Sequence, residues 1–176
     1  MPRKLRNIEL NRLSLDEFKS AKKYPLVLIL DDIRSMNNVG SLFRTADALL
    51  IEAICLCGIT GRPPHKDIRK TALGAEESVN WFGFDSVSSC IAHYRDLGYS
   101  IWSLEQTDRS IDIREIPADH GPVALIVGNE IDGVSEEAIQ QSDLILEIPQ
   151  YGSKHSLNVA VSGSMALWEI LRNKIP

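Results

Sequence analysis

The sequence lacks what would mark a membrane, secreted or metal-bound protein. Its longest apolar runs are five residues, as in Leu26–Leu30, against the ~20 that a membrane-spanning helix needs. Three cysteines are too few, and odd in number, for a disulfide framework. Cys55 and Cys57 stand two apart in an apolar run and would share one face of a strand, so buried thiols are expected. Four scattered histidines (His65, His93, His120, His155) have no partner at metal-ligand spacing, and no metal is expected. The basic start Met1–Lys4 leads into Asn, Glu and Arg instead of an apolar core, so a cytoplasmic protein without a leader or membrane anchor is expected. Nucleotide fingerprints are missing too. No G-x-G-x-x-G follows the first strand and no G-x-x-x-x-G-K-[ST] occurs, which disfavours a dinucleotide enzyme and a P-loop NTPase. No G-x-S-x-G elbow is present either.

Positive charge is also in short supply, with 19 Lys and Arg against 24 Asp and Glu, net −5. It is concentrated, however. Residues 1 to 25 carry seven basic groups against three acidic ones, and Arg62–Lys70 carries four against one. Two basic patches on an acidic body are compatible with a polyanion partner without demanding one.

The composition is that of a globular domain, 44% hydrophobic and 24% charged. A chain of 176 residues can bury close to ~70% of its unfolded surface without staples. Residues 1–24 read as a helical extension: Ser14-Leu15-Asp16-Glu17 is a capping box, and Pro25 ends the segment. From 25 to 176 the pattern is that of one α/β domain. Short apolar runs predict strands at Leu26–Leu30, Ala53–Cys57, Ser78–Trp81, Tyr99–Leu104, Val123–Val127 and Leu144–Ile148. Helices fit at Val39–Leu49, Val87–Leu97, Ser135–Gln141 and Leu157–Arg172. Apolar strands alternating with helices imply a mostly parallel sheet covered on both faces. The last helix has almost no polar face, which predicts burial all round, in the core or against a second subunit.

Three segments look built for a site. In Asn38-Val39-Gly40-Ser41-Leu42-Phe43-Arg44-Thr45-Ala46, Asn38 is placed to cap a helix and Gly40 leaves space near its start. Arg44 follows one turn on, so an anion could use both backbone donors and the guanidinium fork. Gly128-Asn129-Glu130-Ile131-Asp132-Gly133 follows a strand, where open α/β sheets bind ligands, and Glu130 adds an acceptor. In Ile148-Pro149-Gln150-Tyr151-Gly152-Ser153-Lys154-His155-Ser156-Leu157-Asn158, Ser156 can cap the final helix. Asn158 is an amide that needs partners if buried.

Together and in this order, Asn-x-Gly-x-x-x-Arg-Thr-Ala, Gly-x-Glu-x-x-Gly and Ile-Pro-x-x-Gly-x-x-x-Ser-Leu-Asn resemble the SPOUT RNA methyltransferases. The branch they resemble is SpoU/TrmH, which methylates ribose 2′-hydroxyls with S-adenosyl-L-methionine. The resemblance runs from about Leu26 to Leu171 and implies a C-terminal deep trefoil knot, an exception to unknotted topology. It implies cofactor contacts from Leu104, Gly128, Asn129, Ile148, Gln150, Ser156, Leu157 and Asn158, with Leu104, Ile148 and Leu157 against the adenine. It implies Arg44, Asn38 and Glu130 at the reaction centre. Arginine is a poor general base, so Arg44 is expected to bind the target phosphate and orient the 2′-OH. A homodimer is implied, with Arg62, Arg69 and Lys70 beside a shared RNA groove. The expected substrate is tRNA ahead of rRNA. The alternatives are a base-methylating relative and a knotted RNA-binding protein without catalysis.

Overall fold

A computed structural model describes residues 1–175. Its strands are β1 (Tyr24–Asp31), β2 (Ile51–Cys57), β3 (Asn80–Phe84), β4 (Ser100–Leu104), β5 (Ile111–Asp112), β6 (Val123–Val127) and β7 (Leu144–Glu147). They form one sheet in the order β3-β2-β1-β6-β4-β7-β5, with every pairing parallel. The helices are α1 (Leu15–Ser20), α2 (Met36–Ala48), α3 (Lys66–Ala72), α4 (Ala75–Ser78), α5 (Val87–Asp96), α6 (Glu136–Gln140) and α7 (Val159–Leu171).

The continuous apolar strands are explained by two cores, one on each face of the sheet. Leu26, Leu28 and Leu30 join Leu42 and Phe43 of α2 and Leu167 of α7 in one core. The alternate residues Val27 and Ile29 join Val87 and Ile91 of α5 and Ala138 of α6 in the other. A strand buried on both faces gains from apolar residues at every position. Cys55 and Cys57 lie on the second face with Cys90, all three buried and free. Hydrogen bonding to Cys55 and Cys57, with burial, pushes the Cys90 thiol up. Phe18 of α1 is buried in the first core.

Because all strands are parallel, their carboxyl ends meet at one edge, where open α/β sheets hold ligands. β7 lies between β4 and β5, two strands joined to each other by residues 105–110. This insertion is consistent with a C-terminal trefoil knot.

The structure corrects several expectations. α2 starts at Met36, and its cap is Ser35, whose hydroxyl accepts the Asn38 N–H at 3.3 Å. α7 starts at Val159, capped by Asn158 and not by Ser156. The strand expected at 78–81 runs Asn80–Phe84, with Ser78 closing α4. The basic stretch after Arg62, given no element from sequence, runs into α3. The space expected over Gly40 is filled: a Cβ there would lie 2.2 Å from both the Ile68 carbonyl oxygen and the Thr71 Oγ1. Gly40 therefore lets α3 cross α2 closely. In the single chain the core covers one side of α7, and the other is left to the second of the two expected coverings. Val161, Met165 and Trp168 form one stripe that stays 51%, 45% and 55% exposed.

Candidate active site

The site begins with a tight loop after β6. Gly128 must be glycine, since a Cβ would lie 2.1 Å from the Gly133 carbonyl carbon and the Val134 nitrogen. Gly133 sits at φ +72°, a conformation that costs glycine little. Asn129 closes the turn. Its N–H donates to the Gly133 carbonyl at 2.9 Å, and its own carbonyl accepts the Gly133 N–H at 3.0 Å. Its buried amide donates to the Asp32 carbonyl at 2.8 Å and accepts the Ile131 N–H at 2.9 Å. Asn129 thus shapes the loop with most of its polar groups.

That loop presents Glu130 to the segment entering α2. The carboxylate accepts the N–H groups of Arg34 and Ser35, each at 3.0 Å, and the Asn38 side-chain amide at 2.8 Å. Burial opposes ionisation, yet the Arg34 N–H, the Asn38 amide and the Ser35 N–H together hold Glu130 below the usual carboxylate range. Donors aimed at the charged form account for this direction. The Asn38 side-chain Oδ1 in turn accepts from the Asn158 side-chain amide at 3.1 Å. The Asn158 side-chain Oδ1 accepts the Ala160 and Val161 N–H groups at 2.9 and 3.3 Å, capping α7. The line Glu130–Asn38–Asn158 therefore joins all three sequence motifs. It also corrects two expectations: Asn38 is a bridge instead of a cap, and Asn158 is exposed instead of buried.

The same loops enclose a cavity of about 530 Å³. The eight residues expected to hold a cofactor, from Leu104 to Asn158, all line it, and so does Glu130. Leu104, Ile148 and Leu157 supply apolar surface, and polar groups ring it. That pairing suits a purine nucleoside with a charged tail.

Arg44 lies elsewhere. It is exposed on α2, in a separate groove of about 600 Å³ shared with Lys70 of α3 and Trp168 of α7. Neither Arg44 nor Lys70 takes part in any ion pair among the described residues. Thr45 holds the two long helices in register, its hydroxyl 2.8 Å from that of Ser164. Arg69 differs, pairing with Glu76 at 4.0 Å and Glu77 at 3.3 Å. Arg62 donates to the Phe84 carbonyl at 3.2 Å, beside β3. Of the three basic residues expected at an RNA groove, Lys70 alone adjoins Arg44.

Sequence reading missed four contributors. Ser35 caps α2. The buried Asp31 carboxylate accepts the Ser135 N–H at 3.0 Å, tying β1 to the start of α6. Glu105 and His155 line the cavity. The signal for Asp31 and Glu105 was their place at the ends of β1 and β4, where polar side chains face the ligand edge.

Residues 25–168 match the SpoU rRNA Methylase family. Over 169 residues, 95% of the chain, the sequence is 32% identical to the 23S rRNA (guanosine-2′-O-)-methyltransferase RlmB of Haemophilus influenzae, of which it spans 68%. An AdoMet-bound rRNA methyltransferase from Sinorhizobium meliloti shares the fold with a TM-score of 0.82 at 27% identity, over 88% of this chain and 59% of that one. A TrmH/SpoU tRNA modifying enzyme from A. aeolicus gives a TM-score of 0.81 at 26% identity, over 91% and 80%. With the motifs joined at one cavity and this similarity over nearly its whole length, the chain belongs to the SpoU rRNA methylase family.

Proposed function

We propose that this protein is an S-adenosylmethionine-dependent RNA methyltransferase acting on a ribose 2′-hydroxyl, with tRNA as its first substrate. The observation that carries the reading is the Glu130–Asn38–Asn158 line at the cavity. It holds a nucleoside-sized cavity and the helix bearing Arg44 in one fixed relation. S-adenosylmethionine supplies an electrophilic methyl group on its sulfonium.

The chain's own residues bind and align. Leu104, Ile148 and Leu157 pack against the adenine, while backbone groups of the three loops hold the polar parts. Arg44 holds the phosphate next to the target and orients the 2′-OH for in-line attack, the kind of alignment that lowers a bimolecular barrier. Lys70 adds a second phosphate contact. The fixed Glu130 carboxylate keeps α2, and with it Arg44, in register with the cavity.

The working form is a homodimer. The stripe Val161, Met165 and Trp168 is large and apolar, as a subunit contact requires. A second copy seated there covers it and completes the groove beside Arg44.

The test is nucleoside analysis after incubation with methyl-labelled S-adenosylmethionine and, in parallel, bulk tRNA and ribosomal RNA. Label in a 2′-O-methylnucleoside from tRNA is the expected result. Label only in ribosomal RNA overturns the substrate assignment. A base-methylated product overturns the 2′-O assignment, and RNA binding without any product overturns catalysis.

A further inference from the structure

Among the described acidic residues of the cavity, Glu105 is bonded to its own loop, to the end of β7 and to the segment that follows Gly133. It follows β4 directly. Its N–H donates to the Leu146 carbonyl at 2.9 Å, at the end of β7. Its Oε1 accepts the Gln106 N–H at 2.8 Å, and its Oε2 accepts the Val134 N–H at 2.9 Å, across 29 positions of sequence. The fit leaves no slack: a Cβ on Gly133 would lie 2.2 Å from Oε2. The other acids differ. Glu147 accepts the Ser110 hydroxyl at 2.9 Å, and Asp132 is exposed and accepts nothing among the described residues.

We infer that Glu105 is a positioning residue for cofactor binding, its carboxylate clamping the 104–106 loop to the 128–134 loop so that the cavity is formed before its ligand arrives. The inference rests on the proposed cofactor reading of that cavity and adds a residue to it. Its physical basis is preorganisation. Loops ordered in advance do not have to be ordered at the ligand's cost, so the effect appears in affinity and not in the chemical step. Two N–H groups also need two acceptor atoms. A carboxylate has them, whereas an amide of the same shape turns one NH₂ donor against a donor.

Glu105→Gln is therefore the informative variant, because it keeps volume and removes one acceptor. In calorimetry its S-adenosylmethionine dissociation constant should rise about tenfold, with a further rise in Glu105→Ala. In turnover, KM for the cofactor should rise by the same factor while kcat falls no more than two- to threefold. Hydrogen exchange gives the second measurement. In the cofactor-free protein the Gln106 and Val134 amides should be protected; Glu105→Gln should release at least one of them and Glu105→Ala both, without changing β1 or β2. A residue that only stabilised the fold would lower the melting temperature and release amides throughout.

Unchanged cofactor affinity, or an equal loss in kcat at saturating cofactor, overturns the inference. If neither variant folds, exchange on the wild-type protein still decides: unprotected Gln106 and Val134 amides overturn the clamp. A wild-type protein that takes up no S-adenosylmethionine overturns the cofactor reading instead, and the exchange data then judge the clamp separately.

Discussion

Asn38→Asp tests the bridge at the centre of the site with almost no change in shape. The side-chain amide that donates to Glu130 at 2.8 Å becomes a carboxylate oxygen facing a carboxylate. Two unit charges at 2.8 Å repel by about 1.5 kcal/mol in water-like surroundings and about 6 kcal/mol at an effective dielectric of about 20. The pair is half-exposed, so a cost of about 2–3 kcal/mol is expected, beside a lost charge-assisted hydrogen bond. This repulsion lifts one carboxyl of the new pair above the usual carboxylate range. The sign then follows. As pH falls from 8 towards 6 the pair takes up a proton, the acid O–H donates where the amide did, and the defect shrinks. Wild-type Glu130 behaves oppositely, being held below its ordinary value of 4.5. Its contribution is complete above 4.5 and is lost only as pH falls through the lower folded-state value. Urea unfolding and methyl transfer should be measured for both proteins at pH 6, 7 and 8, with Asn38→Ala as a control that loses about 1–2 kcal/mol at every pH. A ratio of Asn38→Asp to wild type that does not move with pH would refute the bridge.

Further outcomes follow from the same geometry. Gly40→Ala should destabilise by roughly 1–3 kcal/mol, because the new methyl meets the Ile68 backbone; an unchanged urea midpoint would mean α3 shifts freely. Arg44→Ala should leave cofactor affinity intact, since Arg44 lies outside the cavity. Methyl transfer should fall about 100-fold, or about 2.7 kcal/mol. Arg44→Lys should not restore it, because lysine lacks the planar fork; near-normal activity in the lysine variant would reduce Arg44 to a point charge. Met165→Lys with Trp168→Glu should give a monomer by light scattering at micromolar concentration, and a dimer would locate the subunit contact on another face.

Much of the fold was legible because burial on both faces leaves β1, β2 and β6 as unbroken apolar runs, which few other structures require. The limits of legibility are physical too. β5 is two residues long, too short for any period to register. α3 and α4 span seven and four residues of mostly polar side chains, and their helicity comes from packing on α2. For α7, periodicity reports composition around the helix and says nothing of whether the core or a second subunit covers each side. Ser35 and Asn38 are both good capping residues three apart, and local preference cannot rank them. What decides between them is Glu130, 92 positions away, which takes the Asn38 amide and leaves the cap to Ser35. The cavity residues were identifiable through the resemblance, which also implies a cofactor loop at Leu104 to Gln106, but Glu105 reveals its partner Val134 only in space.

The position of Glu130 also alters how an RNA phosphate must be held. A helix N-terminus is a natural anion site because its first N–H groups lack partners and its dipole favours negative charge. At α2 the chain supplies its own anion: Glu130 occupies the Arg34 and Ser35 N–H groups, and the Ser35 hydroxyl takes the Asn38 N–H. These donors are therefore engaged within the protein. A substrate phosphate must be met by side-chain charge, and Arg44 and Lys70 stand unpaired two turns along that helix and across from it. The loop carrying Glu130 is held on its other side by Glu105. Two carboxylates thus fix the cavity loops from opposite sides, and the proposed function assigns Arg44 and Lys70 to the nucleic acid. On the proposed reading, a protein of net charge −5 binds RNA through these cations while Glu105 and Glu130 are turned to backbone donors.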